Sequence, residues 1–120
     1  MKAGVIRTSC VLGLVIGMLA YGPARVIAQG QPPAPGEAVA FDRTKGNCLA
    51  CHTMRGSDVP STVGPELNDM KARFPDRADL VAILNNEEAR NPQTIMPSFG
   101  RNLILDQHEI DQIIDFLYTL

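Results

Sequence analysis

Cys48-Leu49-Ala50-Cys51-His52 makes the strongest chemical statement in the chain, because two cysteines separated by two residues and followed at once by histidine are spaced to hold a haem covalently. Each thiol adds to one vinyl group of the macrocycle, and the next residue is left facing the iron. His52 is therefore the expected proximal ligand through Nε2. Cys48 and Cys51 are the expected attachment points of one haem c.

Two other uses of a C-x-x-C pair fail on the residues available. A structural zinc site takes four Cys or His ligands, but beyond the N-terminal segment the sequence offers only Cys48, Cys51, His52 and His108. Adjacent Cys51 and His52 would also share one tetrahedral ion awkwardly. A thioredoxin-like centre places its motif at a helix start inside a strand-helix-strand pattern, and no alternating β-branched run flanks this one.

Residues 1–28 read as a secretory signal. Lys2 and Arg7 supply the positive start, and the apolar run from Val11 to Ala20 is shorter than the roughly 20 residues a membrane span takes. Val26-Ile27-Ala28 suits cleavage after Ala28, with Ala24 as the second choice; an uncleaved anchor is the alternative reading of the same segment. Cys10 would be discarded with it. Export fits the motif, since haem is attached to such cysteines outside the cytoplasm, and the expected location is the bacterial periplasm. Cleavage after Ala28 leaves 92 residues with eight Lys and Arg against thirteen Asp and Glu, a net charge of −5. A chain this short builds a marginal core by itself, which a buried macrocycle would enlarge. The acidic balance argues against a nucleic-acid partner.

Residues 29–36 are rich in Pro and Gly and read as a linker, leaving residues 37–120 as the one folded domain. A first short helix is expected over 37–47, with Ala38 and Phe41 on one side. After the haem motif, residues 55–65 are loop. Within it, Val63-Gly64-Pro65-Glu66-Leu67 has a possible chemical use: a ligating histidine needs an acceptor for its Nδ1–H to fix the ring plane, and a rigid Gly-Pro turn aims a carbonyl. Pro65 or a neighbour is a candidate for that acceptor; an ordinary turn into the next helix reads equally well. Asp76, with Asp79 three residues on, looks like a helix start. Leu80, Ile83 and Leu84 follow at helical spacing as core, and Asn85, Asn86, Asn91 and Pro92 are expected to end that helix.

The second axial position has four candidates. Met54 is two residues from His52 and cannot reach the opposite haem face. Met70 sits in the helix expected after Leu67, where a lone methionine usually fills core. His108 lies in the first turn of the last helix, opposite its apolar face, and reads as solvated. Met96 stands between Pro92 and Pro97 and ahead of Gly100, in a stretch stiff enough to hold a thioether at a set distance, and is the expected ligand; a loop methionine packed on the core is the alternative. If Met96 failed to bind, a five-coordinate gas-binding or peroxidatic haem would result. The last helix opens on Asp106 with Glu109 three residues later, a capping box. It carries Ile110, Ile113, Ile114 and Leu117 at helical spacing and should pack across the first helix. The fold class expected is all-α, a small monohaem class I cytochrome c.

The haem motif, Val63-Gly64-Pro65-Glu66-Leu67, Arg73-Phe74-Pro75-Asp76-Arg77, residues 91–102 and the helix 109–120 together resemble the SoxX subunit of the SoxAX cytochrome complex. The resemblance spans the expected mature chain, and its specific part is the Pro-flanked Met96 segment with its Phe-Gly-Arg-Asn continuation. It implies covalent bonds from Cys48 and Cys51 and ligation by His52 and Met96. It also implies a SoxA-like partner subunit and a complex that couples thiosulfate oxidatively to a cysteine of a carrier protein, an L-cysteine S-thiosulfotransferase. The sulfur-handling cysteine of such complexes belongs to the other subunit, so no catalytic residue is expected here. A free monohaem shuttle for another periplasmic redox enzyme would use the same motifs. Arg73, Arg77 and Arg101 are each open to a haem propionate or to solvent.

Overall fold

The computed structural model describes residues 32–120. The segment read as a signal, and the first residues of the linker, lie outside them. Four α-helices form the described chain: α1 (Pro35–Phe41), α2 (Met70–Arg73), α3 (Arg77–Arg90) and α4 (Gln107–Leu117), with one 3₁₀ turn at Cys48–Ala50. Among the described residues there is no strand, and none of these helices is long and apolar enough to cross a membrane. The architecture is the expected all-α one.

α1 differs from its expected bounds at both ends. It starts two residues early, because Pro35 occupies a first-turn position where a missing N–H costs nothing; Pro35 and Gly36 are thus helix, not linker, and Gly36 is buried. It stops at Phe41 because the Asp42 carboxylate accepts from both the backbone N–H and the hydroxyl of Thr44, each at 2.7 Å. Such a local bond competes with the helical ladder. Asn47, in the left-handed region at φ 47°, then turns the chain into Cys48.

α4 supplies the centre of the core. Its capping box is complete: the Asp106 carboxylate accepts from the Glu109 N–H at 2.8 Å, and the Glu109 carboxylate accepts from the Asp106 N–H at 3.1 Å. Ile110, Ile113, Ile114, Phe116 and Leu117 are buried. The helix packs across α1 as its pattern predicts, with the rings of Phe41 and Phe116 edge-to-face at 5.7 Å between centroids. Lys45 pairs with Glu109 across the same junction. On the other side, Arg77 at the start of α3 donates to Asp115 at 2.6 Å and to the Asp111 carbonyl at 2.8 Å. The Tyr118 hydroxyl donates to the Phe74 carbonyl at 2.9 Å, closing the end of α2 against α4.

α3 begins where expected, with the Asp76 side chain accepting from the Ala78 N–H at 2.9 Å. Its end is a correction. Asn86 is extended (φ −159°, ψ 79°) and breaks the helix, but helical turns resume through Arg90. The continuation has its own support: the Arg90 guanidinium forks onto the Glu87 carboxylate at 2.8 and 3.1 Å, one helical turn apart.

Candidate haem site

The C-x-x-C-H segment folds as one tight turn. The 3₁₀ turn Cys48–Ala50 is closed by Cys51, and the Cys48 carbonyl accepts from both the Cys51 N–H at 3.2 Å and the His52 N–H at 2.9 Å, which holds the two cysteines and the histidine together. A strap formed by residues 61–67 is sewn to it. The Gly64 N–H donates to the Cys51 carbonyl at 2.7 Å, the Leu67 N–H to the Thr53 carbonyl at 2.9 Å, and the Thr53 hydroxyl to the Ser61 carbonyl at 3.0 Å, while accepting from the Ser61 N–H at 2.8 Å.

The strap grips the imidazole in two ways. The Pro65 carbonyl lies 2.7 Å from His52 Nδ1, within hydrogen-bond reach of the proton that tautomer would carry. Gly64 lies against the ring itself: a Cβ there would stand 2.5 Å from Cε1, 2.8 Å from Nδ1 and 3.0 Å from Nε2. Of the two readings the Gly-Pro turn allowed, the structure places the Pro65 carbonyl at the histidine. Sequence reasoning missed Gly64, whose signal was its position before that proline.

Cys48, Cys51, His52 and Met96 all line one cavity of about 690 Å³, within the range of small-molecule sites. Its wall is largely aliphatic and aromatic: Leu67, Phe74, Leu80, Ile83, Leu84 and Phe99 among others. Leu80, Ile83 and Leu84 therefore face the cavity as well as the core. Burial pushes the Cys48 thiol up to about 11, and the neighbouring Cys51 adds to the rise. Such a thiol stays protonated near neutral pH, unlike the activated thiolates of zinc and disulfide-exchange centres. An apolar cavity bearing two thiols, an oriented imidazole and a thioether suits a macrocycle with vinyl groups and a central metal ion.

The other candidates separate cleanly. Met54 is buried in the core and is not part of the cavity wall. Met70 is buried, as its helical position predicts, yet it also reaches the wall, with the Arg73 guanidinium 3.6 Å from its sulfur. His108 is exposed, its Nε2 3.0 Å from the Gln112 amide, and lies away from the cavity. Of the three arginines open to a propionate, Arg73 lines the cavity; Arg77 is committed to Asp111 and Asp115, and Arg101 to Glu88 at 2.6 Å. Arg43 and the Glu87–Arg90 pair also line it. These were not foreseen, although the i,i+3 spacing of Glu87 and Arg90 on the Ile83 and Leu84 face carried a signal.

A helical domain folded about a cavity with this set of side chains is a small all-α haem protein of the class I type. Residues 33–120 match the family model for cytochrome c, and the chain belongs to the cytochrome c family. Membership carries covalently bound haem c and a role in electron transfer. No match is found among curated proteins.

Proposed function

We propose that the chain is a periplasmic monohaem cytochrome, the small electron-relaying subunit of a SoxAX-like complex that couples thiosulfate oxidatively to a carrier-protein cysteine. The observation that carries the haem part is the single cavity lined by Cys48, Cys51, His52 and Met96. Cys48 and Cys51 would hold the haem through thioether bonds, and His52 and Met96 would bind its iron. The resemblance of the whole expected mature sequence to SoxX supports the rest.

When bound, haem supplies one-electron redox chemistry and this chain's residues set its conditions. The Pro65 carbonyl fixes the His52 tautomer and makes the imidazole a stronger donor. The thioether of Met96 acts oppositely, favouring the reduced state and a higher potential. Were His52 and Met96 both to hold the metal, no position would be left on it for a substrate, and the aliphatic part of the wall would limit the approach of water. Exposed Val63 and Ile95 at the cavity lining leave an apolar edge for electron exchange. No catalytic group is assigned to this chain; the sulfur chemistry belongs to the SoxA-like partner.

The test is made on native periplasmic extract, separated by size while haem absorbance is followed and this chain is located by mass. Elution with a larger haem protein supports the complex, and elution as a lone small haem protein supports the free shuttle. On the purified haem-loaded protein, Met96→Ala removes the sulfur-to-iron charge-transfer band; a band that survives rejects Met96 as ligand.

A further inference from the structure

The break in α3 and the loop carrying Met96 are joined at several points. Ser98, two residues beyond Met96, is buried, with 1% of its surface exposed, and its hydroxyl donates to Asn86 Oδ1 at 3.1 Å. The Gly100 N–H donates to the Leu84 carbonyl at 3.2 Å, and the Arg101 N–H to the Asn85 carbonyl at 3.0 Å. In a straight helix those two carbonyls would face the amides of residues 88 and 89. The extended Asn86 lies between each carbonyl and its helical partner, so the break presents both to the loop. Gly100 is required for the approach, because a Cβ at that position would collide with the Asn85 side chain. Arg101 and Glu88 add an ion pair at 2.6 Å.

We infer that Asn86 and Ser98 are positioning residues for the sulfur of Met96, the broken turn of α3 acting as a receptor that holds the loop against the cavity. The inference rests on Met96 binding the iron. Asn86 contributes in two ways: its side chain accepts from Ser98, and its extended backbone presents the Leu84 and Asn85 carbonyls. Within the loop, the Met96 N–H donates to the Thr94 hydroxyl at 3.1 Å and the Asn102 N–H to the Ser98 carbonyl at 2.9 Å. The loop therefore moves as one body when it lifts, and its seat on α3 sets how often the thioether leaves the metal.

Imidazole added to the ferric haem-loaded protein binds only when the Met96 position opens, so its apparent affinity reads the lifting equilibrium directly. A buried hydrogen bond contributes a factor of about two to ten. Ser98→Ala should therefore raise imidazole affinity about three- to tenfold, and Asn86→Ala by more, since alanine also favours a straight helix. Asn86→Asp keeps the acceptor oxygen and should stay near the parent. Arg77→Ala, which loses the ties to α4 on the opposite flank, lowers thermal stability without raising imidazole affinity. Ser98→Ala with parental affinity, or Arg77→Ala with the same rise, would overturn the inference. Should Asn86→Ala fail to fold, Ser98→Ala decides alone. A parent protein lacking the charge-transfer band overturns the ligation by Met96 and this inference with it; a parent with the band and variants of unchanged affinity overturns the inference only.

Discussion

Gly64→Ala tests the grip on His52 most sharply, because the three atoms nearest the added methyl carbon all belong to the imidazole. Its Cβ would stand 2.5 Å from Cε1, against the 3.4 Å at which ordinary van der Waals contact begins, so about 0.9 Å of separation must be found. If His52 holds the metal as proposed, the ring is tied by Nε2 as well as by its own backbone, so the strap retreats instead. A retreat of that size stretches the Pro65 carbonyl contact from 2.7 Å toward 3.6 Å, where a hydrogen bond no longer exists. Without that acceptor the imidazole is a weaker donor and the oxidised state loses more than the reduced one. If the roughly 1 kcal/mol of a net hydrogen bond is lost wholly from the oxidised state, the potential rises by about 40 mV, at about 59 mV per tenfold for one electron. Overpacking costs about 1–3 kcal/mol of stability besides. Spectroelectrochemical titration of the haem-loaded variant measures the shift. Val59→Ala, in the same loop but exposed and off the cavity wall, is the control and should leave the potential in place. A folded Gly64→Ala protein with the parental potential would show that the strap does not set the imidazole's donor strength.

His108→Ala should leave the visible spectrum and potential unchanged, because the ring is exposed, bonded to Gln112 and away from the cavity; a changed spectrum would place it at the metal. Phe116→Ala removes a buried ring from the α1–α4 contact and should cost about 3–5 kcal/mol, read from the denaturant midpoint of haem-loaded protein. The Glu109 carboxyl is held below its ordinary 4.5 first by the hydrogen bond from Lys45 and then by the Asp106 N–H. Its contribution is therefore complete above about pH 4.5 and disappears as pH falls through the lower folded value. Lys45 is raised above 10.5 chiefly by the same bond, so its share is present below that pH and lost as pH climbs past the folded value. Glu109→Gln should flatten the acid limb of a melting-temperature profile; an unchanged limb would remove this pair from the acid response.

What could be read from the sequence was chemistry that is local along the chain. Cys48, Cys51 and His52 must be neighbours to serve one macrocycle, and the capping box of α4 needs its two acids three residues apart, so both are visible as spacing. The Gly64-Pro65 turn was visible as a rigid carbonyl, and the prolines around Met96 as a stiff loop. What could not be read depends on distant partners. Arg73 lines the cavity with its guanidinium held by the Glu66 and Asn68 carbonyls, while Arg77 and Arg101 are drawn to Asp111, Asp115 and Glu88; all three look alike in sequence because the choice is made by residues up to 38 positions away. The end of α1 shows the converse, a local cause overlooked. Asp42 and Thr44 form a turn at 2.7 Å that outweighs the helical pattern around them.

Asn85 and Asn86 show why a correct local preference still gave a wrong boundary. Asparagine disfavours helix because its side chain competes for backbone groups, and the helix does break at Asn86. It resumes because two things hold the next turn in line: the Arg90 fork on Glu87 within the turn, and the bond from Ser98 to Asn86 with the Arg101–Glu88 pair from the loop. The loop in turn is placed by the carbonyls that the break presents. Neither element specifies its own geometry, so removing Ser98 should loosen the second half of α3 as well as the loop. Amide hydrogen exchange at residues 88–90 should then rise in Ser98→Ala together with exchange at 100 and 101. Faster exchange confined to the loop would mean that the broken helix stands by itself.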